Sequence, residues 1–493
     1  MYLLGYDSGT SSIKATLLDA QTGQVAASCS WPQTEMPIQS PQPGFAEQDP
    51  QLWWDNLKGA TARVLAESGV NSADIKAIGI SYQMHGLVCV DKTMAVIRPS
   101  IIWCDSRAVK IGQKAAQKIG GKKCLKNLLN LPGNFTAGKL RWVKENEPAN
   151  FKRVYKMMLP GDWLAMKMTG VAATTASGLS EMILWDFVKR KPADFLMKYY
   201  GFDESFLPDI VPTFGTQGQL TSSAANELGL KAGTPVTYRA GDQPNNALSL
   251  NVLNPGEIAA TAGTSGVVYG ISSKAAYDPK SRVNTFLHVN DTPKACRNGV
   301  LLCVNGTGRL NSWLKHNVMA GKDYPEMNAM AEQVAVGSDG LVILPYGNGA
   351  ERTLENKNIG TSIQNLDLNT HHLGHILRAS QEGIVFALNY GLEIMKNMGL
   401  RIKTVRAGKA NMFLSDVFAT TFASLTGATV ELYNTDGSQG AARGAGLGAE
   451  IYKSAPEAFA TLKKLQTVEP DAKMKPACKK AYEKWRDILE KNL

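Results

Sequence analysis

The chain has 493 residues, 44% hydrophobic and 19% charged, with a formal net charge of +10. That length is too great for one core, so two or more domains are expected. The positive balance is mild and spread along the chain, which argues against a nucleic-acid patch and suits attraction of polyanionic nucleotides.

Residues 3–19 read as strand, glycine loop, strand. Apolar residues lead to Asp7, a residue type depleted in strands, and Gly9, Thr10 and Ser11 follow it. A small polar loop of this kind can turn its N–H groups toward an anion. A carboxylate beside it suits the Mg²⁺ side of a metal-bound phosphate; an ordinary hairpin with a turn carboxylate is the competing reading. A turn at 20–23 and a strand at 24–31 complete an antiparallel meander. A Pro-rich connection, 37–43, leads to Asp49 and Pro50, an N-cap and a first helical residue, and Trp53, Leu57, Thr61 and Val64 carry a helix to about residue 67. Residues 75–83 and 87–91 read as strands split by Met84-His85-Gly86, and 96–103 as a further strand ending in Cys104-Asp105-Ser106-Arg107.

The 120–240 region is less regular, with helices expected near 139–146 and 162–168 and lid-like stretches at 131–138 and 174–186. A strand at 235–241 runs into Asp242. Residues 257–270 then repeat the opening device: strand, Gly263-Thr264-Ser265, strand. Neither loop is a Walker A motif, since no Gly-Lys-Ser/Thr ending exists in the chain. Two like devices suggest two like lobes offering one loop each to the same phosphate tail. Helices are expected at 308–316, 374–398 and 440–451, with a strand at 340–344 and a strand-to-helix passage at 405–418. Tyr482, Trp485 and Leu489 mark the apolar face of a Lys-rich terminal helix. The whole is an α/β chain of two lobes, 1–245 and 246–493, with a cleft between them, a favoured place for ligands.

Seven cysteines, Cys29, Cys89, Cys104, Cys124, Cys296, Cys303 and Cys478, include no Cys-x-x-Cys pair, so neither a disulfide framework nor a zinc site is indicated. No apolar run is long enough to span a membrane, the N-terminus enters a strand without a leader-like segment, and a cytoplasmic location is expected. His288, His316, His371, His372 and His375 lack metal-ligand spacing and read as structural or surface residues.

Gly5-Tyr6-Asp7-Ser8-Gly9-Thr10-Ser11, Glu47-Gln48-Asp49-Pro50, Gln83-Met84-His85-Gly86, Trp103-x-Asp105-x-Arg107, Gly241-Asp242, Gly263-Thr264-Ser265-Gly266 and Glu351-Arg352-Thr353 occur in one order. That ordered set resembles the FGGY carbohydrate kinases from Leu3 to about Tyr452, and Gln-Met-His-Gly is similar to the xylulokinase branch. The resemblance implies an actin-like, ribonuclease H-like fold in both lobes, with an active site in the cleft. It also implies transfer of the ATP γ-phosphoryl group to a ketopentose, giving the 5-phosphate from D-xylulose. Three segments depart from the family pattern: Asp242-Gln243-Pro244 in place of Asp-Asn, Ala407-Gly408-Lys409-Ala410 in place of a Gly-Gly-Gly-Ala segment, and Gly349-Ala350-Glu351-Arg352-Thr353-Leu354 in place of Gly-Glu-Arg-Thr-Pro.

Under the resemblance Asp242 is the general base, with a helix N-cap as the alternative, and Asp7 holds Mg²⁺ through water. Gly9, Thr10 and Ser11 meet the phosphates on one side and Gly263 and Thr264 on the other. Met84, His85 and Gln243 face the sugar. Trp103 stacks on it or belongs to the core, and Asp105 orients hydroxyls or pairs with Arg107. Gly408, Ala410 and Asn411 lie where the family binds adenosine. The expected partners are a small sugar and ATP, without nucleic acid or membrane, and a homodimer is compatible. Ribulose or glycerol as acceptor, an actin- or Hsp70-like nucleotide switch, and a non-catalytic sugar sensor are the other readings.

Overall fold

The computed structural model describes residues 1–493 and divides into two compact units. The first comprises Met1–Asn251, Phe286–Arg297 and Thr435–Leu462; the second comprises Val252–Thr285, Asn298–Asn434 and Lys463–Leu493. Two segments beyond the expected boundary at 245 thus return to the first unit.

The first unit is built on a five-stranded sheet. Tyr2–Ser8, Ile13–Asp19 and Val25–Trp31 form the antiparallel meander. On the other flank of Tyr2–Ser8 lie Ile75–Tyr82 and then Val236–Gly241, both parallel to it. The meander strand Ile13–Asp19 shows why the segment extends: its β-branched and apolar residues are buried nearly throughout, with Lys14 exposed.

The helix Gly437–Gly448, Gly-Ser-Gln-Gly-Ala-Ala-Arg-Gly-Ala-Gly-Leu-Gly, joins this sheet from far along the chain. Its small residues let the two backbones come close. A Cβ on Gly5 would stand 2.0 Å from the Ser438 carbonyl oxygen, and one on Gly79 would stand 2.0 Å from that of Ala441. Ser438 is also hydrogen-bonded through its hydroxyl to Thr16, 2.7 Å away. Gly79→Ala should therefore destabilise the first unit by about 1–3 kcal/mol, the usual cost of overpacking. Urea unfolding followed by tryptophan fluorescence checks this; an unchanged midpoint would show that the helix yields freely.

The second unit repeats the plan. Asn298–Val304, Gly266–Ser272 and Ile258–Ala262 are antiparallel, and Thr404–Gly408 and Thr429–Tyr433 follow parallel to Ile258–Ala262. The duplicated strand–loop–strand of the sequence is thus the start of a duplicated sheet order. The long helix Leu373–Asn397 is buried along most of its length against this sheet's core. The terminal helix Lys475–Asn492 buries Cys478, Tyr482, Trp485 and Leu489 and exposes its lysines, and the Trp485 indole donates to the Ile343 carbonyl at 3.0 Å.

Two expectations need correction. The strand expected over 96–103 is only Ser100–Ile101: Pro99 lacks a ladder donor, and Arg98 turns to ion pairs with Glu47 and Glu147. The 120–240 region is more regular than its sequence suggests, with helices at Thr136–Asn146, Pro160–Thr169, Ala176–Glu181, Asp194–Tyr200 and Ser222–Leu228 among others. None of the seven cysteines forms a disulfide, and no helix is long and apolar enough to cross a membrane.

Candidate active site

In the first unit three neighbouring strands run parallel and end together: Asp7 lies opposite Ser81, and Gly241 opposite Tyr82. The carboxyl ends of parallel strands are where α/β sheets collect ligands. Asp242 opens the helix Asp242–Ser249, whose N-cap is Gly241 rather than Asp242. Burial lifts the Asp242 carboxyl from its ordinary 3.8 to about 7, the charge of Asp7 adds to the rise, and hydrogen bonds from Gln243 oppose it. Burial also raises Asp7, with Asp436 adding to the rise and the Ser81 hydroxyl and Lys14 opposing it. The Ser81 hydroxyl donates to Asp7 Oδ1 at 2.8 Å. Two carboxyls thus sit in one electrostatic field, one of them poised to exchange a proton near neutrality.

Met84 is buried against the strand end, where a Cβ on Gly241 would stand 2.6 Å from its Cγ. His85 adopts a left-handed backbone (φ 62°). Its ring packs edge-on against Phe135 and tilted against Phe286, and its Nδ1 lies 2.9 Å from the Glu181 carbonyl oxygen. The fully buried Lys139 secures this segment, donating to the carbonyls of His85 at 2.7 Å and Ile102 at 2.9 Å. Burial pushes its amine down to about 7, opposed by Asp105. Glu181 supports it from beneath: the Tyr82 hydroxyl donates to its Oε1 at 2.6 Å, and burial holds the carboxyl far above the usual carboxylate range, with Asp162 and Asp242 adding to the rise.

Trp103 is half exposed, so it is not core. Its indole N–H donates to the Thr10 hydroxyl at 2.9 Å, and that hydroxyl donates to Gln83 Oε1 at 3.3 Å. Gln48 closes the set, donating to the Thr10 carbonyl and accepting from Gln83 and Trp53. The Gly9 N–H closes a turn onto the Ser12 carbonyl at 3.0 Å, while Ser11 at the loop tip is exposed.

For Asp105 the structure shows the second of its two readings, the pair with Arg107. Its carboxylate is fully buried, accepts from the Ala46 N–H, and grips the Arg107 guanidinium through both oxygens. Arg107 also pairs with Glu47 and lies under Phe45, 3.7 Å from the ring centroid. The ion pair is the interaction this carboxylate makes in the folded chain.

The second unit contains a pocket of about 770 Å³ whose walls include Gly263, Thr264, Gly308, Asn311, Asn328 and Asn411. Gly408 and Ala410 precede Asn411 at the end of Thr404–Gly408 but are not among its walls. Gln381 braces two walls from behind, donating to Asn328 Oδ1 at 3.0 Å and accepting from the Ser415 hydroxyl at 2.6 Å. Glu351 is wholly buried and receives the main-chain N–H groups of Asn305 and Gly306. Burial pushes its carboxyl up to about 7 against those hydrogen bonds.

Sequence reasoning missed Lys139, Glu181, Gln83, Asn311, Asn328 and Gln381. Only Gln83 carried a local signal, its place in the Gln-Met-His-Gly segment. The others occupy helix positions that reveal a role only once the chain is folded.

Comparison with known proteins adds the evolutionary context. Residues 2–249 match the N-terminal domain of the FGGY family of carbohydrate kinases, and residues 258–449 match its C-terminal domain. The xylulose kinase of Staphylococcus xylosus is 30% identical over 437 residues, covering 86% of this chain and 87% of that protein. That of Escherichia coli (strain K12) is 29% identical over 505 residues, covering 100% and 99%. The crystal structure of xylulose kinase from Rhodospirillum rubrum superposes with a TM-score of 0.86 at 25% identity, covering 100% of this chain and 99% of that one. The fold is the two-lobed, actin-like ATPase fold of the sugar kinases. With both halves matched in order and nearly the whole length covered, this chain belongs to the FGGY family of carbohydrate kinases.

Proposed function

We propose that this chain transfers the γ-phosphoryl group of ATP to D-xylulose, giving D-xylulose 5-phosphate and ADP. The observation that carries the reading is the Asp242 carboxyl, lifted to about 7 beside Asp7 at the ends of parallel strands. The similarity to proteins named xylulose kinase supplies the sugar.

Phosphoryl transfer asks little covalent work of the protein; it needs alignment, charge neutralisation and a base. Asp242 accepts the proton of the sugar hydroxyl as its oxygen bonds to the γ-phosphorus and the bond to the ADP oxygen breaks. Met84, His85 and Gln243 contact the sugar, with His85 held by Lys139 and Glu181. Trp103 presents its exposed ring to the sugar while its N–H fixes Thr10. The Gly9–Ser11 loop of the first unit is suited to phosphate oxygens, Gly263 and Thr264 offer phosphate contacts in the second unit's pocket, and the adenosine occupies that pocket beside Asn411.

A divalent cation fits this site. Asp7 is a buried carboxyl in the field of Asp436 and of Asp242, and a cation relieves that crowding. No group of three or more His, Cys, Asp or Glu side chains is arranged to hold a metal unaided, and Mg²⁺ bound with nucleotide relies mainly on phosphates and water. Asp7 would hold Mg²⁺ through water, and the ion would neutralise charge on the phosphates.

The test is a rate comparison of D-xylulose against ribulose, other pentuloses and glycerol at fixed Mg-ATP, read by ADP release. D-xylulose is expected to give the highest kcat/KM; a higher value for another acceptor would reassign the substrate. His85→Ala should raise the KM for the sugar by roughly tenfold, the effect of losing one good buried contact, with the KM for ATP unchanged. Equal changes in both constants would remove His85 from the sugar side.

A further inference from the structure

The Glu351-Arg352-Thr353 motif stands apart from every residue given a role above, yet Glu351 is one of the few carboxylates wholly buried in the second unit. Its surroundings explain why it is there. The Asn305 N–H reaches both carboxylate oxygens, at 2.9 and 3.1 Å, and the Gly306 N–H joins it. The Asn305 amide donates to the Ala350 carbonyl at 2.9 Å, and the Asn348 amide donates to the Asn305 carbonyl at 3.1 Å. The 305–306 turn is thereby pinned to the segment carrying Glu351.

That turn leads directly into the helix Thr307–Asn317. The N–H groups of Gly308 and Arg309 do not go to solvent. Gly308 N–H donates to the Gly263 carbonyl at 2.9 Å and Arg309 N–H to the Thr264 carbonyl at 3.1 Å. The approach is so close that a Cβ on Gly308 would stand 2.2 Å from the Gly263 oxygen, and one on Gly306 would stand 1.5 Å from the Pro345 oxygen. A helix start normally leaves such donors unsatisfied. Here they fix both residues of the second Gly-Thr loop, which with Gly308 line the pocket.

We propose that Glu351 is a positioning residue for the nucleotide's phosphates: by clamping the 305–306 turn it sets the helix start that holds Gly263 and Thr264 in place. The inference rests on the reading of this loop as phosphate-binding and of the pocket as adenosine-binding. The clamp acts at the loop end of the pocket. Asn328 and Ser415 are braced separately through Gln381, so the adenosine side does not depend on it.

The test measures binding of adenosine and of Mg²⁺ with the non-hydrolysable ATP analogue AMP-PNP to the full chain by titration calorimetry. In Glu351→Gln an amide N–H₂ faces donors that need an acceptor. The AMP-PNP dissociation constant should rise about tenfold, the effect of one buried donor left unpaired, while that of adenosine stays at its wild-type value. Should Glu351→Gln not fold, Glu351→Asp, which keeps the charge on a shorter arm, is expected to show the same split more weakly. Equal weakening of both ligands, or no change in either, would overturn the inference while leaving the nucleotide reading intact. A wild-type chain that binds neither ligand would remove the nucleotide reading itself, and this inference with it.

Discussion

Asp242→Asn is expected to lower kcat by about 10²–10⁴-fold, the usual contribution of a positioned general base, while D-xylulose and ATP still bind. The substitution keeps shape and removes only the capacity to take a proton. In the wild type the base is active when ionised, so kcat/KM should rise as pH climbs through about 7, the value to which burial and Asp7 lift this carboxyl. Stability should show the opposite sign. A carboxyl whose folded value lies above its ordinary 3.8 binds its proton more tightly in the folded chain, so its ionisation costs stability as pH rises from about 4 through 7. Asp242→Asn should therefore raise Tm at pH 8 and lose that advantage toward pH 4. A variant that keeps wild-type kcat, or one less stable than wild type at pH 8, would deny Asp242 this role.

Asp7→Asn should cost about 10²–10³-fold in kcat, the scale on which a preorganised electrostatic group acts in a transition state, with the loss appearing as a weakened response to Mg²⁺. It carries a second and more specific signature. The charge of Asp7 is one of the two causes that raise Asp242. Removing it should slide the acid limb of residual activity to lower pH. Burial also brings Glu351 and Lys139 to about 7, but Asp7 is not among the charges that shift either, so the shift identifies Asp242 as the titrating group. An acid limb that stays in place while activity falls would separate the two carboxylates and leave Asp7 a structural residue at the end of its strand.

Much of this fold could be read before it was seen, where the signal was local. The strand–loop–strand of 3–19, its copy at 257–270 and the Asp49-Pro50 helix start are all decided within a few residues. Asp7 was legible because a carboxylate ending an apolar strand contradicts strand propensity. What escaped was set by long-range geometry. Nothing near residue 437 says that a helix of glycines and alanines will press on Gly5 and Gly79; only the missing Cβ atoms on both sides reveal the contact. By position Asp105 could orient sugar hydroxyls or pair with Arg107, and in the folded chain Arg107 and the Ala46 N–H hold it. Lys139 and Glu181 sit on helices from a stretch with weak periodicity, and their meaning lies in whose carbonyl or hydroxyl they meet.

The central claim is that Asp242 takes the proton of a ketopentose hydroxyl as that hydroxyl receives the γ-phosphoryl group of ATP. Its most direct test follows D-xylulose and Mg-ATP by phosphorus NMR with the wild-type chain and with Asp242→Asn in parallel. The account predicts a sugar 5-phosphate resonance growing in equal amount to ADP with the wild type and none on the same timescale with the variant. ADP formed without a sugar phosphate, or product from the variant at the wild-type rate, would contradict it.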